Sequence, residues 1–291
     1  MDGIFNVLKP PGMTSHDVVA FLRRTLQIKK IGHGGTLDPD AAGVLPVFVG
    51  SATRLLEFLA GERKSYIVEI TLGKQTDTGD DSGKVIKSML VPEISVDRLM
   101  EMLEGFIGKQ SQIPPMYSSV KINGQKLYKL AREGLNINRP SREIEIYKLE
   151  LLLQEKKKIL LAVECSKGTY VRVLAEDIAN TAHTCGTVTF LLRTKVGNYE
   201  IDDAHTLQEI ITKPEAYIQS PLNAVSKLPR LNLLPQQAVR VTEGVRTTVS
   251  ATGDGRYVLI GPEGEFLGLG IYSEGMIKPE KIFQHYILQE E

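Results

Sequence analysis

Residues 32–46, GHGGTLDPDAAGVLP, forbid both regular backbone states and so force the chain to turn. Glycines at 32, 34 and 35 permit positive φ and close backbone approach, while Pro39 biases Asp38 towards an extended conformation. Neither helix nor strand can run through such a stretch. Directly afterwards VLPVFVG reads as an apolar, buried segment. Asp38 is thereby presented on a stiff turn beside a core element, the placement that a nucleophile or general base needs. An isolated Asp-Pro is ordinarily only a turn; the flanking residues make this one a candidate for chemistry.

The rest of the chain reads as alternating elements. Residues 3–8 suggest a short strand ended by Pro10-Pro11-Gly12, and Ser15 is placed to cap a helix carrying Val18, Val19, Leu22 and Leu26. Ser51 is placed to cap a second helix (Leu55, Leu56, Leu59) that Gly61 would end. Tyr66, Val68, Ile70 and Leu72 alternate as in a strand with one face on the core. Residues 95–107 are spaced as an amphipathic helix, residues 144–153 and 159–165 as a hairpin, and residues 171–182 as a further helix. Between them, residues 110–142 read poorly as core, and a long irregular insertion is usually functional or mobile. Composition shifts around residues 221–235. Beyond it, 238–241, 256–260, 266–271 and 278–283 read as short β-prone runs, a small β-rich domain.

A chain of 291 residues suffices for one large domain and a small one. Nothing near the N-terminus resembles a signal peptide and no apolar stretch is long enough to span a bilayer, so a cytoplasmic protein is expected. The two cysteines, Cys165 and Cys185, have no metal-ligand spacing, which points to a reducing compartment and to no metal and no cofactor. Net charge is zero, although Lys109, Lys121, Lys126, Lys129, Arg132, Arg139, Arg142 and Lys148 face only Glu133, Glu143 and Glu145 between 109 and 148. A local patch of this kind can bind phosphates, but alone it is weak support for nucleic-acid binding. Two acidic turns, DTG at Asp77 and DSG at Asp81, lie within one polar loop and cannot form an aspartic-protease dyad. There is no GxSxG elbow, GxGxxG or Walker A sequence.

Five blocks together resemble the TruB family of tRNA pseudouridine synthases. They are KPPGMTSHDVV (9–19), the Asp38 stretch, KSYIVEITLGKQTDTGD (64–80), PPMYSSVKINGQKLYKLAREG (114–134) and CSKGTYVRVLAEDI (165–178), in the family's order. Departures at Gly34, Asp40 and Ala42 concern the tuning of the loop and not Asp38. The resemblance implies an α+β pseudouridine synthase fold, with a mixed, mainly antiparallel sheet flanked by helices and loops. It places a catalytic domain at 1–228, with its RNA-binding insertion at about 110–142. GEFLGLGIYSEGMIKPEKIF resembles the end of a PUA RNA-binding domain, implying a small β-barrel-like unit at 229–291.

The implied reaction isomerises uridine 55 in the T loop of tRNA after flipping the base, without cofactor or guide RNA. It breaks the C1′–N1 bond and forms C1′–C5 between the same two pieces, so no redox partner is needed. Asp38 is the implied nucleophile, Arg172 its cationic partner, and Tyr66 a stacking residue and candidate base. His33 is implied to fill the space the flipped uridine leaves. Lys9, Tyr170, Lys167, Tyr117 and Lys121 are further expected substrate contacts, and the expected form is a monomer needing no protein partner. A guide-RNA-dependent synthase subunit and a tRNA-folding chaperone are the competing readings.

Overall fold

A computed structural model of the protein describes residues 1–122 and 124–284; Asn123, within the fourth block, and residues 285–291 of the C-terminal unit lie outside them. The alternation at Tyr66–Leu72 places Lys64–Leu72 in the interior of a ten-stranded sheet, with those four side chains buried. From edge to edge the main path runs Ile218–Gln219, Gly3–Lys9, Ala42–Val49, Gly186–Val196, Lys64–Leu72, Lys158–Cys165, Arg142–Gln154 and Gly108–Gln112. Ile31–His33 pairs with Ala42–Val49, and Tyr199–Glu200 with Gly186–Val196. All these pairings are antiparallel except Gly186–Val196 with Ala42–Val49. At that parallel seam Arg193 stands opposite Gly43, whose φ of 113° and lack of a side chain are both required. A Cβ there would lie 2.2 Å from the Arg193 carbonyl oxygen.

One face of the sheet buries Val68, Ile70, Leu161 and Val163 against two helices. Val96–Glu104, shorter than the 95–107 expected, starts at Ser95, whose hydroxyl accepts from the Arg98 N–H. Val171–Thr181 contributes Val171, Leu174, Ala175 and Ile178 at helical spacing. Burying each large aliphatic side chain of such a core contributes about 1.5–3 kcal/mol. The Ser15–Thr25 helix covers the strands at the opposite end with Val18, Val19 and Leu22.

Several boundaries differ from expectation. Thr14, not Ser15, caps the first helix, through a capping box with Asp17. Ser51 is no cap; the Asp2 carboxylate accepts its N–H, and the turn begins as a 3₁₀ segment over Gly50–Leu55 before Leu56–Ala60 becomes α-helical. The insertion proper is shorter than 110–142, because Gly108–Gln112 is an edge strand of the main sheet. It holds a tight hairpin, Lys121–Ile122 with Gln125–Lys126, and a helix, Leu127–Arg132.

Residues 238–241 are helical, not extended. Pro235 supplies a preset first turn, and Ala238, Val241 and Thr242 form one buried stripe of the Pro235–Thr242 helix. The other three C-terminal runs are strands of a five-stranded, barrel-like sheet, ordered Arg230–Asn232, Gly255–Ile260, Phe266–Ser273, Met276–Ile282 and Thr247–Thr248. This second sheet does not hang free: Val258, Ile260 and Leu269 share one core with Ile4, Phe48, Leu55 and Leu59.

Candidate active site

Asp38 lies on the 34–41 loop between Ile31–His33 and Ala42–Val49, and several backbone groups there are tied down. Gly34 N–H donates to the Pro46 carbonyl at 2.8 Å. Ser15 Oγ accepts the Leu37 N–H at 2.9 Å and donates to the Leu37 carbonyl at 3.2 Å. Arg193, fully buried, donates from Nε to the Val44 carbonyl (2.8 Å), from Nη1 to Thr36 O and from Nη2 to Gly35 O (both 3.2 Å). The loop is thus held by a guanidinium from behind and a serine from the side.

Lys9 belongs to the same scaffold. It is fully buried, and Nζ donates to the carbonyls of Pro10 (2.8 Å), Pro39 (2.9 Å) and Met13. All three protons are used, so Lys9 clamps the loop and is not the substrate contact expected of it. Burial lowers its pKa to about 8.

The Asp38 carboxylate is gripped side-on by Arg172, Nε to Oδ2 at 2.9 Å and Nη2 to Oδ1 at 3.3 Å. Arg172 is 5% exposed and donates also to the carbonyls of Thr78 (2.7 Å) and Tyr117 (2.9 Å), while Asp80 Oδ2 stands 3.6 Å from Nη1. A cation in the first turn of a helix opposes the helix dipole; Asp38 and Asp80 offset that here. The helix start is fixed in an unusual way. Tyr170 has no side-chain cap; its N–H donates to Gln112 Oε1 at 2.8 Å and its carbonyl accepts from Gln112 Nε2 at 3.1 Å. The close arginine lowers the Asp38 pKa, yet burial outweighs it, and the group lies above the ordinary carboxylate value.

Asp38, Arg172, Tyr66 and Tyr170 line one cavity of about 320 Å³, roofed by residues 118–120 of the insertion. Tyr66 is 8% exposed, and burial pushes its pKa up to about 12. Lys64, Ser118 and Arg142 also line this space and were not singled out from the sequence as site residues. Of the remaining expected contacts, Tyr117 touches the site through its carbonyl, and Lys167 and Lys121 are exposed outside the cavity lining. His33 is also outside that lining, its ring edge-on to His16 with centroids 5.5 Å apart, and burial lowers its pKa. On the far side of the Asp38–Arg172 pair a second depression of about 350 Å³ is bordered by Asp80, Asp81 and Phe190. Among the described residues no group of three or more His, Cys, Asp or Glu could hold a metal, and no helix is long and apolar enough to cross a membrane.

A guanidinium that fixes a carboxylate in the wall of a nucleotide-sized cavity can position it for attack or for stabilising positive charge at a sugar carbon. The N-terminal-domain model of the TruB family of pseudouridylate synthases matches residues 23–171. The tRNA pseudouridine synthase B of Caldanaerobacter subterraneus subsp. tengcongensis is 43% identical over 286 residues, 97% of this chain and 99% of the relative. That of Alkaliphilus oremlandii is 42% identical over 282 residues, 93% of each chain. A chain in the crystal structure of a Cbf5–Nop10–Gar1 complex superposes with a TM-score of 0.74 at 25% identity, over 97% of this chain and 85% of that one.

Proposed function

The chain belongs to the TruB family of pseudouridine synthases, and on that premise we propose that it isomerises uridine 55 in the T loop of tRNA. It is an isomerase acting on RNA, and its relatives' name, tRNA pseudouridine synthase B, supports tRNA as the substrate. The observation that carries the reading is the side-on grip of buried Arg172 on Asp38 in the wall of the cavity that Tyr66 also lines.

A uridine in a folded loop is stacked, so it is flipped into the cavity at a cost of a few kcal/mol, which binding must recover. Asp38, ionised and fixed by Arg172, then adds to the nucleotide or stabilises positive charge at C1′ as C1′–N1 breaks. The freed uracil turns and C5 bonds to C1′. The C5 proton leaves and N1 gains a proton, so atoms balance without cofactor or metal. Tyr66 packs against the base. With a pKa of about 12 it keeps its proton at neutral pH, so its hydroxyl takes the C5 proton only by handing its own on. His33 fills the gap in the RNA, while Tyr170, Lys167, Tyr117 and Lys121 frame the bound strand.

Residues 1–228 form the catalytic domain with its insertion, and 229–291 a PUA-like RNA-binding domain. The protein works in the cytoplasm as a monomer, without guide RNA or obligatory partner. The deciding experiment is tritium release from C5-labelled uridine in unmodified tRNA, comparing the parent with Asp38→Asn and adding no cofactor or metal. Label is expected from the parent alone, at position 55. Binding without release would move the chaperone and guide-dependent readings ahead.

A further inference from the structure

Two residues in the cavity carry hydrogen-bonding groups with nothing to bond. Ser118, 6% exposed, has a buried Oγ without a partner, and Arg142 has both Nε and Nη2 buried without one. Both residues line the cavity that holds Asp38. Buried polar groups are ordinarily satisfied, and buried guanidinium nitrogens without a hydrogen bond are costly exceptions. Every nitrogen of the other buried cations around the site has a partner: Lys9 and Arg193 on three carbonyls each, Arg172 on Asp38 and two carbonyls.

Arg142 is nevertheless held in place. Its Cζ lies 4.6 Å from the Tyr170 ring centroid, a cation–π contact, and a Cβ on Gly168 would touch it at 3.5 Å. Tyr170 is itself fixed by Gln112, which pairs with Arg142 across the edge of the sheet. No ion pair to Arg142 is present among the described residues; the neighbouring Glu143 reaches Lys109 at 3.3 Å instead. Lys64, in the same cavity, donates only to a backbone carbonyl. Asp38, the carboxylate lining that space, is engaged by Arg172.

Each unfilled group can donate, the two guanidinium nitrogens can only donate, and they lie beside positive charge without an ion pair. A uracil carbonyl, neutral and single, would use one of them. A phosphodiester presents two anionic oxygens in a geometry that a guanidinium fork matches. Building on the proposal that this cavity receives an RNA nucleotide, we propose that Arg142 and Ser118 form the seat of one backbone phosphate, the one adjoining the isomerised uridine.

The test uses T-arm stem-loop RNAs in which each loop linkage in turn is replaced by an uncharged methylphosphonate. With the parent, neutralising one linkage should weaken binding about 10-fold, equivalent to about 1.4 kcal/mol. Arg142→Gln should bind unmodified RNA about 10-fold more weakly. It should lose the methylphosphonate penalty at that linkage alone and show a salt slope smaller by about 0.7. Ser118→Ala, which keeps every charge and leaves no overpacked atom, should reduce the same penalty in part. Arg142→Gln and Ser118→Ala that keep the parent's penalty at every linkage would overturn the phosphate seat. Tritium release by the parent on unmodified RNA is scored separately: release with unchanged penalties rejects the seat and leaves the function standing, whereas no release rejects the function.

Discussion

The two walls of the active-site cavity obey opposite rules. On one side Arg172, Arg193 and Lys9 are buried with a partner for every cationic nitrogen, and Asp38 is held by Arg172. On the opposite side Ser118 of the insertion and Arg142 of the strand Arg142–Gln154 have buried polar atoms left open. The contrast separates two tasks. Groups that act in the transition state gain by being preorganised, since nothing then has to reorient as charge develops. Groups that receive a ligand gain by keeping their bonding capacity until it binds.

The comparison breaks most severely at Arg172. Arg172→Gln should lower turnover by about 10²–10³-fold while tRNA affinity changes less than about 3-fold. The pH profile sharpens this. On the proposed mechanism Asp38 acts ionised; burial raises its pKa with Arg172 opposing, so kcat/KM is expected to fall as pH drops through a value above 3.8. Removing Arg172 raises that pKa further and must move the acid limb to higher pH; a limb that stays in place would show that Arg172 does not govern Asp38.

Tyr66 comes next, lining the cavity in which the base is proposed to sit. Tyr66→Phe keeps the ring and should slow single turnover about 10²-fold with unchanged tRNA binding. A parent-like rate would leave Tyr66 a packing surface only.

The mildest perturbation comes from behind the loop. A Cβ on Gly34 would lie 2.2 Å from Leu59 Cδ2, so Gly34→Thr overpacks the loop at a cost of about 1–3 kcal/mol. It should lower kcat a few-fold and leave KM unchanged, and adding Leu59→Ala should restore much of the loss. No rescue in the double variant would mean that the loop is not positioned through this contact.

Asp38, Tyr66 and Arg172 were singled out through blocks that resemble the family's, and the structure brings the three to one cavity. The strand at Lys64–Leu72 and the helix at Val171–Thr181 were legible from period alone. What escaped was defined by distance along the chain. Ser15 reaches Leu37 across 22 positions and Arg193 reaches Gly35 across 158. Asp80 ends one of the matching blocks, but nothing in its DTG and DSG loop marked it as a neighbour of Arg172. Lys9 is a lysine of unremarkable type, and only its burial turns it from a surface contact into a clamp. Arg142 was one member of a basic run, and nothing local marks it as a member that lines the cavity with buried, unbonded nitrogens. At 238–241 two valines suggested a strand, but Pro235 and the spacing of Ala238, Val241 and Thr242 decided for a helix.

The Leu56–Ala60 helix has the catalytic loop on one side, through Leu59 against Gly34, and the C-terminal sheet on the other. There Glu57 pairs with Lys281 at 2.6 Å, and Arg256 stands 5.2 Å over the Phe58 ring. With Leu55 and Leu59 in one core with Val258 and Leu269, the second sheet acts as the lid of the first sheet's interior. A message cut short after codon 228 would therefore not encode a smaller enzyme: it would encode a catalytic fold with one oily side open to water.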